Sequence, residues 1–182
     1  MNSIKKRRLC KEIFYLDNYI NMIKNETFVK KKGKLFYRYR ECFHKINDMG
    51  VIDIRFTNRK NIFLEKNAIL GLSLILKNKK LNITFTLDGY PFRCPNVIFN
   101  NDPNIYCKMY KYIKHFDIND CLCQSSIICN NNWGGNILLS KIILEYITNY
   151  QKYISRIEDK YNCNLYICYC KLGFYLPIAD FL

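Results

Sequence analysis

Apolar residues near the start of the chain recur at three- and four-residue steps: Leu9, Ile13, Leu16, Ile20 and Ile23. That spacing lines one face of a helix and predicts an amphipathic helix over residues 4–24, with Lys5, Lys6, Arg7, Arg8 and Lys11 on its other faces. Residues 25–34 are polar and basic and read as a connector, and residues 35–40 read as a short strand. From Val51 the period changes to two. Residues 51–56, 68–76 and 81–87 then read as three antiparallel strands, the last two joined by the turn Lys77-Asn78-Lys79-Lys80. A fourth strand, residues 96–100, follows Tyr90-Pro91-Phe92-Arg93-Cys94-Pro95, where Pro91 and Pro95 exclude ladder pairing and require an irregular crossover. Residues 100–132 carry no sustained period, and a stretch of that kind in a compact domain is usually a functional loop. Helical spacing returns at 137–150 through Leu138, Ile142, Leu144 and Ile147 and continues toward Lys160; the apolar, Tyr-rich residues 165–182 fit no element. This order predicts one α+β domain over residues 1–182: an N-terminal helix, a four-stranded antiparallel meander, a long loop and C-terminal helices packed on the sheet.

Composition narrows the class. Apolar residues make up 49% and charged residues 24% of the 182 residues, which excludes wholesale disorder. The longest apolar run, at residues 68–76, is interrupted by Ser73 and falls far short of the roughly 20 residues a bilayer needs, so no membrane partner is expected. Lys11, Glu12 and Asp17 break up any apolar leader, so no secretory signal is expected either. An intracellular setting follows, cytoplasmic or nuclear, and with it free thiols for the 10 cysteines. Cys121 and Cys123 form a C-x-C, as do Cys168 and Cys170, but there is no C-x-x-C, and His44 and His115 lack zinc spacing. No metal and no cofactor are implied.

The net charge is +14, which ordinarily points to nucleic acid. Asn, Ile, Lys, Tyr and Phe together make up more than half of the chain, however, and A/T-rich codons encode all five. Mutational bias in an A/T-rich source, such as a large DNA virus or a parasite, therefore accounts for much of the charge. On this reading nucleic acid is not the expected partner.

Four local patterns, in order over residues 4–150, resemble the ubiquitin-conjugating enzymes. Arg8-Leu9-Cys10-Lys11-Glu12-Ile13-x-x-Leu16 is similar to that family's first helix. Tyr90 through Phe99 is similar to its Tyr-Pro-Phe-x-Pro-Pro-x-Val-x-Phe run, with Cys94 at one of the prolines. Cys123 lies ten residues before Trp133, a family spacing for the nucleophile, and Trp133 through Leu144 resembles the run that opens the second family helix. Residues 151–182 diverge from the family's C-terminal helices.

The resemblance implies a UBC-like fold and a transferase that carries ubiquitin or a related modifier as a thioester on Cys123, for transfer to substrate lysines. A thiol suits that work because its thiolate is both a strong nucleophile and a good leaving group. Cys121 and then Cys129 are the rival nucleophiles. His115-Phe116-Asp117 stands where the family has His-Pro-Asn, so Asp117 replaces a donor for the oxyanion with an acceptor; Asp102-Pro103-Asn104 competes for the same match. The resemblance also implies an activating enzyme docked on Arg7, Arg8 and Lys11, and a RING-type ligase at Phe92, whose other reading is a core residue. The alternative expectation is a non-catalytic UBC-fold module that binds ubiquitin or a ligase. Trp133 reads as a packing anchor.

Overall fold

The computed structural model describes residues 3–25, 34–60, 62, 68–102, 109, 126–128 and 132–171. Helix α1 spans Ser3–Asn25. Leu9, Ile13, Leu16 and Ile20 are buried along its inner stripe, as their spacing predicts, together with Glu12 and Tyr19. The expected short strand at 35–40 is instead part of a second helix, α2 (Lys34–Asp48). The reason lies beyond the six residues of that window: Tyr39, Cys42, Phe43 and Ile46 fall at helical spacing and are all buried. The rings of Tyr19 and Phe43 stack with centroids 3.7 Å apart and tie α2 to α1.

Helix α2 ends in a glycine turn. Gly50 takes φ +83° and donates its N–H to the Asn47 carbonyl at 2.7 Å, a left-handed close that a residue with Cβ adopts only at a cost. The chain then enters an antiparallel sheet of order β1-β2-β3-β4, built from β1 (Val51–Lys60), β2 (Ile69–Leu76), β3 (Lys79–Thr86) and β4 (Asn96–Phe99). In β3 and β4, Leu81, Ile83, Phe85, Val97 and Phe99 are buried while the alternate residues Asn82, Thr84, Thr86 and Ile98 are half-buried. Strand β2 is covered on both faces. Its Gly71 is required by the bulge in β1 between Phe56 and Asn58, because a Cβ there would lie 2.5 Å from Thr57 Oγ1.

The crossover from Tyr90 to Pro95 is irregular, as its prolines demand, and Tyr90-Pro91 is cis. Helix α3 (Leu139–Lys171) follows as one continuous helix, where several C-terminal helices were expected. Leu139, Ile142, Ile143, Tyr146 and Ile147 pack its first half into the core. An α+β fold with an N-terminal helix, a four-stranded antiparallel meander and a C-terminal helix is therefore present. Among the described residues no helix is long and apolar enough to cross a membrane, and Cys10, Cys42 and Cys94 are free thiols.

The elements converge on Glu12, which is 0% exposed. Its Oε1 accepts from Arg8 Nε and the Tyr90 hydroxyl, and its Oε2 accepts from the Tyr39 hydroxyl and, at 2.9 Å, the Leu139 backbone N–H. Leu139 opens α3, so its N–H has no partner within the helix and the carboxylate supplies one. Burial, and then the negative charge of Glu12, hold the Tyr39 and Tyr90 hydroxyls well above the ordinary tyrosine range.

Two outcomes follow. Glu12→Leu strands the buried donors of Tyr39 and Leu139, leaves Arg8 and Tyr90 only the Ile137 carbonyl, and is expected to lower stability by about 3–5 kcal/mol in denaturant titration, with Glu12→Gln costing less. The tyrosines set the alkaline limit. Their folded pKa lies above the unfolded value of about 10, so the folded state keeps protons that the unfolded chain releases. Their contribution is whole below that value and declines as pH rises through it. Melting temperature should fall in this range, and the fall should be shallower in the double variant Tyr39→Phe, Tyr90→Phe.

Candidate nucleic-acid interface

The β2–β3 hairpin turns on Lys77 and Asn78, with φ +46° and +65°. Two consecutive positive φ angles give the turn whose twist matches that of the flanking strands, and Leu76 then pairs with Lys79. Lys77, Lys79 and Lys80 are all exposed at this tip. Lys79 shares strand parity with the buried Leu81 and stands on the face turned toward α3, while Lys80 stands on the opposite, polar face beside Asn82.

Between the tip and α3 runs a groove of about 390 Å³ lined by Leu76, Lys77, Lys79, Tyr150, Gln151, Ile154, Ser155 and Glu158. Its helical wall follows from periodicity, since Tyr150, Ile154 and Glu158 are four residues apart and Gln151 and Ser155 form the next row. Gln151 anchors that wall by donating Nε2 to the Met49 carbonyl at 2.8 Å. Tyr150 packs against Phe99, centroids 5.6 Å apart, and burial followed by the neighbouring Tyr153 raises its hydroxyl pKa.

Among the described cations Arg59 is matched with Asp17, Arg55 with Asp53, Lys45 with Glu41, and Arg8 with Glu12. Exposed Lys6, Arg7 and Lys11 on α1 and Lys152 and Arg156 on α3 are not ion-paired among the described residues, and what distinguishes the hairpin tip from them is the groove beside it. Among the described residues no carboxylate lies within ion-pair distance of Lys77, Lys79 or Lys80. Three neighbouring ammonium groups without counter-charges attract polyanions.

The residues named from sequence fall in three places. Cys123, Asp117 and His115, with the rivals Cys121 and Cys129, lie outside the described residues. Arg7 and Lys11 are exposed on α1, but Arg8 is bound to Glu12 and also donates Nη2 to the Ile137 carbonyl at 3.3 Å, so it positions the core. Phe92 is 59% exposed and is not a core residue. Trp133 donates Nε1 to the Pro91 carbonyl at 3.0 Å, with its ring against Tyr90, and so anchors the crossover. Sequence reasoning missed Lys77, Lys79 and Lys80 as a site. They were in view as a turn, and three lysines in four residues were the available signal.

No family model and no solved structure matches the chain. The chain is similar to the DNA repair protein RecO of Mesoplasma florum, 27% identical over 135 residues that cover 70% of this chain and 49% of RecO. The chain thus spans about half the length of the curated relative it matches. This likeness overturns the expected function and partners. That relative is a DNA repair protein, so ubiquitin conjugation, its non-catalytic variant, the modifier, the activating enzyme and the RING-type ligase are set aside, and nucleic acid, read above as an unexpected partner, returns to consideration. The physical error was to let the origin of the charge cancel its effect: a lysine supplied by codon bias has the same field as any other.

Lysine in the left-handed region costs about 1 kcal/mol, a penalty that Asn largely avoids. Lys77→Asn is therefore expected to raise the midpoint of thermal unfolding slightly while weakening polyanion binding. Measured together, the two should move in opposite directions.

Proposed function

We propose that the chain binds nucleic acid through the lysine-tipped β2–β3 hairpin and serves DNA repair, on a scaffold that resembles the ubiquitin-conjugating enzymes in its N-terminal helix, meander and following helix, with α2 inserted between the first two. The observation that carries the binding is the cluster of Lys77, Lys79 and Lys80, exposed and without carboxylate partners beside a groove. The similarity to RecO, a DNA repair protein, gives the binding its biological direction. The net charge of +14 supplies the long-range attraction that brings a polyanion to the tip. The scaffold proposal draws on α1, the meander, the crossover held by Trp133 and the following helix α3.

Phosphate contacts of this kind release condensed counterions, so affinity falls linearly with salt on a logarithmic scale, with a slope close to the number of contacts. Fluorescence anisotropy of a labelled oligonucleotide at several salt concentrations measures that slope. Replacing Lys77, Lys79 and Lys80 together by Ala should flatten it by about 2–3 and weaken binding regardless of sequence. Unchanged affinity and slope in that variant, or no binding by the parent chain at low salt, would sink the proposal.

A further inference from the structure

The groove beside the hairpin has a two-part chemistry that a polyanion site does not need. Its rim carries the ammonium groups of Lys77 and Lys79, which suit phosphate. Its interior is apolar along Leu76, Tyr150 and Ile154, and is edged by acceptors. Glu158 and the Ser155 hydroxyl make no hydrogen bond or ion pair among the described residues, and Gln151, whose amide N–H₂ is held by Met49, keeps its carbonyl oxygen as an acceptor. A carboxylate and a carbonyl oxygen repel a second phosphate, but they match the amino group of a base. The volume of about 390 Å³ falls within the roughly 300–1,000 Å³ typical of small-ligand sites.

We propose that this groove takes an unpaired base of single-stranded DNA, its ring against Tyr150 and Ile154, its amino edge toward Glu158 and Gln151, and its flanking phosphates on Lys77 and Lys79. The inference rests on the nucleic-acid reading above and deepens it, making the substrate class a strand whose bases are free of a duplex. A paired base is held in its stack and cannot enter, whereas an unpaired base brings an aromatic face that is sequence-tolerant in stacking.

The test compares three labelled probes of equal length at one salt concentration: an oligodeoxycytidine strand, a strand of abasic deoxyribose phosphates and a duplex. Binding is read by anisotropy. The cytidine strand is expected to bind about tenfold tighter than the abasic one, the worth of one stacked base. Ser155→Phe fills the groove from an exposed helical position and should erase that preference, bringing the cytidine and abasic affinities together; circular dichroism confirms that the variant is folded. Glu158→Ala, also at an exposed position, removes the acceptor and should shrink the ratio of cytidine to abasic affinity. Equal affinity of the parent chain for all three probes overturns the base-binding groove and leaves the phosphate-binding hairpin standing. A preference that survives Ser155→Phe overturns the groove as its seat. Absence of binding to every probe overturns both readings.

Discussion

Glu12 lies out of water and receives donors from its own helix, from α2, from the crossover and from the first residue of α3. A buried carboxylate is tolerable only when its oxygens are well supplied with donors, and two of those donors, the Tyr39 hydroxyl and the Leu139 N–H, depend on the acid in turn, whereas Arg8 and Tyr90 also reach the Ile137 carbonyl. The arrangement is therefore mutual. Apolar burial draws α1, α2 and α3 together, but hydrophobic contact is non-directional and admits many slightly different packings. Glu12 has directional demands, and these fix which rotation of each element is accepted.

Much of the fold was legible because its elements follow simple periods. The stripe from Leu9 to Ile20 and the alternation through Leu81, Ile83 and Phe85 appear in the structure as inner faces. Helix α2 was not legible from residues 35–40 alone, because Tyr39 announces a helix only when Cys42, Phe43 and Ile46 are counted with it. The hub was hidden for another reason. Glu12 is a common surface residue, and nothing in a helical stripe distinguishes a carboxylate facing water from one facing Tyr39 and Tyr90, which are 27 and 78 positions away in the chain.

The site was less legible than the fold. A groove between a hairpin tip and a helix joins residues 76–79 to 150–158, and only the tertiary structure brings the two together. Charge was visible as a total, but its distribution depends on which cations acquire partners. Arg59 meets Asp17 across 42 positions, and Arg8 meets Glu12 one turn along the same helix, so both are neutralised locally. Lys77, Lys79 and Lys80 acquire no such partner among the described residues, a local excess beside the groove that no count of residue types reveals.

Helix α3 is gripped at Leu139 by Glu12 and forms the groove wall near Ile154. Those points are separated by a rigid arm of about 22 Å at the usual helical rise. A second hold at Gln151, whose amide is bound by the Met49 carbonyl, lies on the groove wall itself, so the arm is pinned at both ends and the wall stands at a fixed distance from the strands. The same two holds, a carboxylate at the helix start and a carbonyl twelve residues on, set the helix in both rotation and position.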